Sequence, residues 1–373
     1  MLIKNHFTER SLWLLLISFA CLSSYGWIAT YPKGGYFTLL FFGLSFVLFL
    51  KNAYKSVLFI LITSLFLVYS NFPREYAGPS TGQQLSAVMF FFILCLNIDF
   101  RKKVNLYLSK IIILLCVFSL IVQCLLFFID IPRTFYEVDT QQFYIHWPFY
   151  VDRVNISKGS VTSFLSVLFF QRFHGPFFEP GYLGVILGVM LYSGVSGYYR
   201  KLIFFFGILT LSMGFFAILS LYLLELKKNK NSIFYLLLAV SSVVLYFFLG
   251  DSESFFYRSI FERFFGSGDK VLDTRSSIYE LKQISMFWHY FYNEFWAMFF
   301  GVGFDVPGSG GSYRVWVFGV GYAGVIASFL IFLKFLIPLG IRAIPRAIVL
   351  LLLCYLFGFW FTPFFIFLLE DSK

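Results

Sequence analysis

The chain has little charge and few of the residues that soluble enzymes use for chemistry. Only 13% of its 373 residues are charged, with 19 Asp and Glu against 29 Lys and Arg. Soluble domains carry about 25% charged residues, so this chain cannot clothe a water-facing surface of ordinary extent. Its four histidines (His6, His146, His174, His289) show no HExxH or paired spacing, which argues against a metal centre. The five cysteines (Cys21, Cys95, Cys116, Cys124, Cys354) are odd in number, lie in apolar runs and form no CxxC. They read as packing residues rather than a disulfide or metal framework. There is no GxSxG elbow and no P-loop lysine motif. Long polar stretches are missing too, so no soluble domain is expected.

What the chain has in abundance is apolar surface. Hydrophobic residues make up 59%, aromatics 23%, and mean hydropathy is +0.80. Apolar runs of about 17–25 residues recur, each long enough to cross a hydrocarbon core as helix. The expected fold is all-α, a polytopic integral membrane protein of ten or eleven transmembrane helices. The expected spans are 11–30, 36–50, 56–71, 84–98, 109–129, 181–199, 232–249, 315–333 and 347–369, with 202–224 treated separately. The first run lacks a small-residue cleavage site and is read as a retained helix. The last crosses once or turns back at Thr362-Pro363, leaving the side of the C-terminus open.

Charge sets the topology. Segments assigned to the cytoplasm carry 16 of the Lys and Arg and 3 of the Asp and Glu; the remainder carries 13 and 16. This positive-inside bias accounts for the net charge of +10 without a nucleic-acid partner. It also creates a conflict. The run 202–224 is one span long, yet Arg200 and Lys201 precede it and Lys227, Lys228 and Lys230 follow it. A hairpin broken at Leu211-Ser212-Met213-Gly214 keeps both clusters inside, and broken helices often mark binding sites. The chain thus divides into N-terminal helices (1–129), a first extracytoplasmic loop (130–180), and central helices (181–249) containing the hairpin. A second extracytoplasmic loop (250–312) and C-terminal helices (313–373) follow.

One stretch is out of place. Gln171–Gly184, QRFHGPFFEPGYLG, crowds Arg172, His174, Glu179, two prolines and three glycines directly before a spanning helix. Proline cannot sit inside a regular helix, and irregular backbone survives at membrane depth only where protein buries it or water reaches it. Arg172, His174 and Glu179 are therefore expected to line a polar cavity at a membrane boundary. The same loop holds Tyr150 and Arg153 among interleaved charges and aromatics, and a short apolar segment, 161–170, expected to re-enter or lie at the interface.

The second loop has its own pattern. On a helical wheel over 275–300, Arg275, Lys282, His289 and Asn293 share one side. Leu281, Ile284, Trp288, Phe291, Phe295 and Phe299 fill the other. The expectation is one amphipathic helix in the interface, followed by a glycine-dense loop, Gly301–Asp305 and PGSGG, folded back over a site. Arginine suits bidentate phosphate recognition. Arginines and carboxylates gathered on one membrane face suit a substrate with an anionic head and a lipid tail, and the loop aromatics suit stacking on sugar rings.

RFHGPFFEPGYLG resembles the Arg-x-x-Gly…Glu-Pro signature of the bacterial O-antigen and capsule polysaccharide polymerases, the Wzy family, which is related to the O-antigen ligases. LTLSMGFFAILSL, FERFFGSGDKVLDTRSSIYE, FGVGFD and GVGYAGVIASFL follow in the family's order, over about residues 170–330. The resemblance implies a GT-C-like glycosyltransferase of the bacterial inner membrane, with no metal, nucleotide-sugar or other cofactor and with membrane lipids around it. It would move a growing glycan from undecaprenyl diphosphate onto the next lipid-linked repeat unit at the periplasmic face, beside a flippase and a chain-length regulator. Arg172 and Arg275 match the family's loop arginines and would hold the donor diphosphate. Glu179 matches the Glu-Pro position and would activate the acceptor hydroxyl. His174, Lys282, His289, Asn293, Tyr150 and Arg153 would bind substrate. Two departures stand out. The Ser-Arg of the broken helix is Ser212-Met213 here, and the ligases' His-containing element after the glycine loop is replaced by SGGSYRVWV, which favours polymerase over ligase. A lipid-linked oligosaccharide flippase or other transporter is the alternative, and a membrane sensor or structural protein a third.

Overall fold

The computed structural model describes residues 2–25, 53–71, 81–126, 128–132, 134–139, 142–147, 150–155, 173, 175–177, 180–195, 197–210, 212–225, 289, 291–304, 313–356 and 361–369, with a few positions between 36 and 44. The expected span 232–249 and the segment 161–170 lie outside them. Two compact units emerge. Unit 1 joins Met1–Leu67, Ser80–Leu219 and Phe361–Lys373; unit 2 joins Val68–Pro79 and Ser220–Trp360.

Unit 1 begins with α1 (Leu2–Tyr25), most of α2 (Ala53–Ser70), α3 (Thr81–Cys95) and α4 (Ile98–Leu125). The sequence suggests a cytoplasmic basic loop between the third and fourth of these. Instead α4 starts at Ile98 and absorbs the basic cluster into its first turns. Arg101 is buried there, and its Nη1 donates to the Leu94 carbonyl at 2.8 Å, satisfying an acceptor that the end of α3 leaves open.

The polarity of α4 is inverted relative to a helix in water. Asn105, Ser109, Ser119 and Gln123 form a buried seam at helical spacing, whereas Ile98, Leu114, Phe118, Ile121 and Leu125 are exposed. Residues 98–125, and in unit 2 residues 316–340, are long and apolar enough to cross a membrane.

After α4 the chain forms a three-stranded antiparallel meander, the departure from helix among the described residues. Strands β1 (Thr134–Asp139), β2 (Gln142–Trp147) and β3 (Tyr150–Asn155) pair in order, with a register shift between Glu137 and Asp139. The strands read TFYEVD, QFYIHW and YVDRVN. Such aromatic and β-branched residues fit a pleated surface, and only Pro148 and Phe149 separate β2 from β3 in sequence.

Unit 1 is completed by α5 (Pro180–Met190), α6 (Tyr198–Leu209) and the first part of α7 (Met213–Glu225). The end of α6 lies beside the start of α5, so these two helices run antiparallel. Gly184 then faces Ser212, Val185 faces Gly214, and Gly188 faces Ile218, so α7 runs parallel to α5. The chain therefore reverses at Thr210–Ser212. Gly184 and Gly188 form a GxxxG pair, and a Cβ on Gly188 would meet Ile218 at 3.0 Å. In lipid, where apolar burial gives helices no reason to associate, such close approach supplies the dispersion contacts that hold them. A short 3-10 turn, Pro363–Leu368, is buried in unit 1 against α3 and α5.

Unit 2 contains α8 (Phe295–Phe300), α9 (Tyr313–Leu336) and α10 (Ala343–Leu356). Along α9 Ile326, Leu330 and Leu333 are exposed while Ser328 is buried, donating to the Gly324 carbonyl at 2.7 Å. Arg346 on α10 is 2% exposed and grips Glu225, the last residue of α7, with two hydrogen bonds of 3.0 and 3.2 Å.

Candidate functional site

Two described segments adjoin in sequence most of the polar residues singled out above, one in each unit. In unit 1 the irregular stretch is pinned by aromatic anchors. Phe173 is buried and stacks on Phe206 at 5.6 Å, and its amide donates to the Leu209 carbonyl at 3.1 Å. Phe177 is buried against Tyr182 and against Phe364 of the C-terminal turn. Between them Gly175 adopts φ +58°, a conformation that a side chain disfavours. The stretch is thereby seated at the α6–α7 reversal. There the Ser212 hydroxyl donates to the Gly181 carbonyl at 3.2 Å and accepts the Phe215 amide at 3.4 Å, capping α7. The Thr210 hydroxyl donates to Gly207 at 2.7 Å. Arg172, His174 and Glu179 lie outside the described residues.

In unit 2 the 289–304 segment folds onto α9. Phe291 is fully buried, packing edge-on against Phe318 at 5.4 Å and Tyr322 at 5.7 Å, with Ala297 and Val302 completing the cluster. The expected continuous helix over 275–300 is not formed. Glu294 is extended (φ −105°, ψ 105°), and α8 begins afresh at Phe295. This shift of phase turns Phe295 and Trp296 outward, 60% and 68% exposed, although the wheel groups Phe295 with the buried Phe291. Arg275 and Lys282 lie outside the described residues. His289 and Asn293 are brought together, imidazole to amide at 2.9 Å, on an exposed face. Beside them on the same turn, the Tyr292 hydroxyl meets the Tyr322 hydroxyl at 3.2 Å.

Residues 301–304 pack on α9, while 305–312 of the glycine-dense loop lie outside the described residues. The Val302 amide donates to the Phe318 carbonyl at 2.6 Å, and Gly301 crosses the backbone of Gly319–Gly321. At Gly321 (φ 62°, ψ −177°) α9 is kinked. The kink frees the Val320 carbonyl and the end of α8 leaves that of Phe300 open, and the Tyr69 hydroxyl bonds to both. Tyr69→Phe should therefore leave buried acceptors unmet, costing about 1–3 kcal/mol, and lower the thermal midpoint of the detergent-solubilised chain by several degrees. An unchanged midpoint would show that the kink holds without this hydroxyl.

Tyr150 and Arg153 sit on β3, in register across the sheet with Trp147 and Tyr144. Among the described residues no group of three His, Cys, Asp or Glu side chains is placed to hold a metal ion. Tyr69, Tyr292 and Tyr322 are absent from the residues chosen on sequence. A tyrosine within a glycine-rich apolar run, as in GVGYAG, is the signal that would have flagged Tyr322. Compared with known proteins, the chain matches no family model, no curated protein and no solved structure.

Proposed function

We infer that the chain is a polytopic helical protein of the bacterial cytoplasmic membrane. In this reading it is a GT-C-like polysaccharide polymerase that transfers a growing glycan from undecaprenyl diphosphate onto the next lipid-linked repeat unit outside that membrane. What supports the membrane setting is the polarity of α4, with the exposed apolar face of α9 (Ile326, Leu330, Leu333) beside it as a second such surface. Apolar residues face out and hydroxyls and amides face in, the arrangement hydrocarbon requires. The observation that carries the enzymatic reading is the ordered series of motifs from Arg172 to the α9 glycines, whose described parts coincide with both irregular sites. One part is seated at the α6–α7 reversal, the other at the Gly301–Gly321 crossing.

Chemically, the diphosphate leaves as the glycosidic bond breaks. Arg172 and Arg275 stabilise its developing charge while Glu179 takes the proton of the attacking acceptor hydroxyl. Removing one preorganised donor of this kind commonly costs ~100–1,000-fold in rate. Arg172→Lys keeps the charge and loses the fork, and Glu179→Gln keeps the size and loses the base. Both are expected to abolish the surface-glycan ladder on a gel at unchanged membrane levels, with Arg258→Ala and Arg263→Ala as tolerant controls. A full ladder from Glu179→Gln removes it from catalysis, and ladders lost in step with protein assign these residues to the loop fold.

A transporter of lipid-linked oligosaccharide is the second reading, favoured by the two broken helices. Gene deletion separates the two. Loss of a polymerase leaves single repeat units on the cell surface, whereas loss of a flippase leaves none.

A further inference from the structure

His289, Tyr292 and Asn293 are exposed on one helical turn and Tyr322 is half-buried, and they form two hydrogen-bonded pairs: His289 with Asn293 at 2.9 Å, and Tyr292 with Tyr322 at 3.2 Å. All four positions belong to unit 2. The face is held from beneath. Phe291 points the other way, fully buried, and its ring touches the rings of both tyrosines, at 5.8 Å for Tyr292 and 5.7 Å for Tyr322. A surface tyrosine ordinarily loses rotamer freedom on capturing a ligand. Here that cost is met in the free protein, because each ring is already packed on Phe291. The chemistry of the set is also selective. A phenol and a carboxamide both donate and accept, and an imidazole adds ring nitrogens to the set, so the face offers mixed hydrogen-bonding groups with no arginine or lysine among the four. Phosphate would call for arginine or lysine. Alternating donors and acceptors match the vicinal hydroxyls of a sugar.

We propose that His289, Tyr292, Asn293 and Tyr322 form a saccharide subsite that binds hydroxyls of the glycan, apart from the arginines assigned to its diphosphate. The subsite rests on the glycan-transfer reading above and assigns to the tyrosine pair a binding role. In that role Tyr292 and Tyr322 hold the sugar directly and take no part in the bond exchange.

The test is photo-capture in the native host. p-Benzoylphenylalanine replaces Tyr292 or Tyr322 in the full-length chain, and Leu330, exposed on the apolar side of α9, serves as the reference position. Irradiated membranes are analysed for adducts that stain with periodate and change in mass. Positions 292 and 322 are expected to capture carbohydrate, and position 330 lipid alone. A single mass increment identifies the acceptor repeat unit as the bound glycan, and a ladder of increments identifies the donor chain. With the reporter at 292, Tyr322→Phe or Asn293→Ala should each lower carbohydrate capture about three- to tenfold, the loss of one hydrogen bond. Tyr322→Phe keeps the ring on Phe291, so a fall in yield at normal membrane levels is not a folding defect. Capture of lipid alone at both positions, or carbohydrate capture indifferent to both substitutions, overturns the subsite. The two readings fail separately. Glycan capture in a chain whose deletion leaves no repeat units on the surface keeps the subsite and ends the polymerase. Lipid-only capture in a chain whose deletion leaves single repeats does the reverse.

Discussion

Arg346→Met alone is expected to destabilise unit 2 by about 3–5 kcal/mol, because it strands the Glu225 carboxylate in a site built for a guanidinium. Arg346 is almost fully buried and meets both carboxylate oxygens of Glu225, so its loss cannot be made good by water at the surface. The measurement is the thermal midpoint and the amount of folded chain extracted from membranes. Replacing both residues, Arg346→Met with Glu225→Met, should recover most of the loss, since a buried pair often contributes little beyond apolar residues of similar volume. If the double variant is as unstable as the single, the pair has a role beyond mutual neutralisation. If the single variant is as stable as the parent, the pair carries no stability at all. The contact joins the end of α7 to the first turn of α10.

Gly301→Ala and Gly321→Ala form the second test, with effects at least as large. A Cβ on Gly301 would lie 2.5 Å from the Gly319 carbonyl oxygen and 2.7 Å from the Gly321 amide nitrogen. One on Gly321 would lie 2.5 Å from the Gly301 nitrogen. The obstacles are backbone, so no rotamer change relieves them. Both residues also have positive φ, a cost of about 1–3 kcal/mol before any clash is counted. Gly340→Ala separates the two effects. Its φ is +59°, yet nothing lies within 4 Å of the new methyl, so it should show the conformational cost alone. Gly340→Ala is expected to keep the highest thermal midpoint, with Gly301→Ala and Gly321→Ala well below it. Equal midpoints for all three would mean that the 301–321 crossing is not close-packed. Because the crossing adjoins the cluster that holds the tyrosine pair, glycan elongation should fall together with stability in the two tight variants only.

Local pattern was informative wherever it concerned the chain's own regularity. Apolar runs give helix, and helix dominates the described residues. Prolines and glycines mark irregular backbone, and the described part of 171–184 is irregular through Phe177, before α5 begins at Pro180. Within the run 202–224, α6 ends at Leu209 and α7 begins at Met213, next to the glycine at 214. These features rest on steric and solvation rules that act within a few residues, so the sequence by itself determines them.

Tertiary structure decided the rest. The meander at 134–155 depends on strand pairing, which a single strand cannot announce. The phase of 289–300 depends on Glu294, whose extended backbone lets Phe291 enter the Phe318 cluster while Phe295 turns away. A wheel assumes unbroken helix and cannot see such a shift. Whether a charge is solvated or buried is likewise non-local. Arg101 and Arg346 are both buried charges, and one caps α3 while the other pairs with Glu225, 121 positions away. Tyr292 and Tyr322, 30 positions apart, share a hydrogen bond only because Phe291 draws both rings onto one anchor. Sequence sets what each segment can do on its own; the pairing of distant partners exists only once the segments are packed.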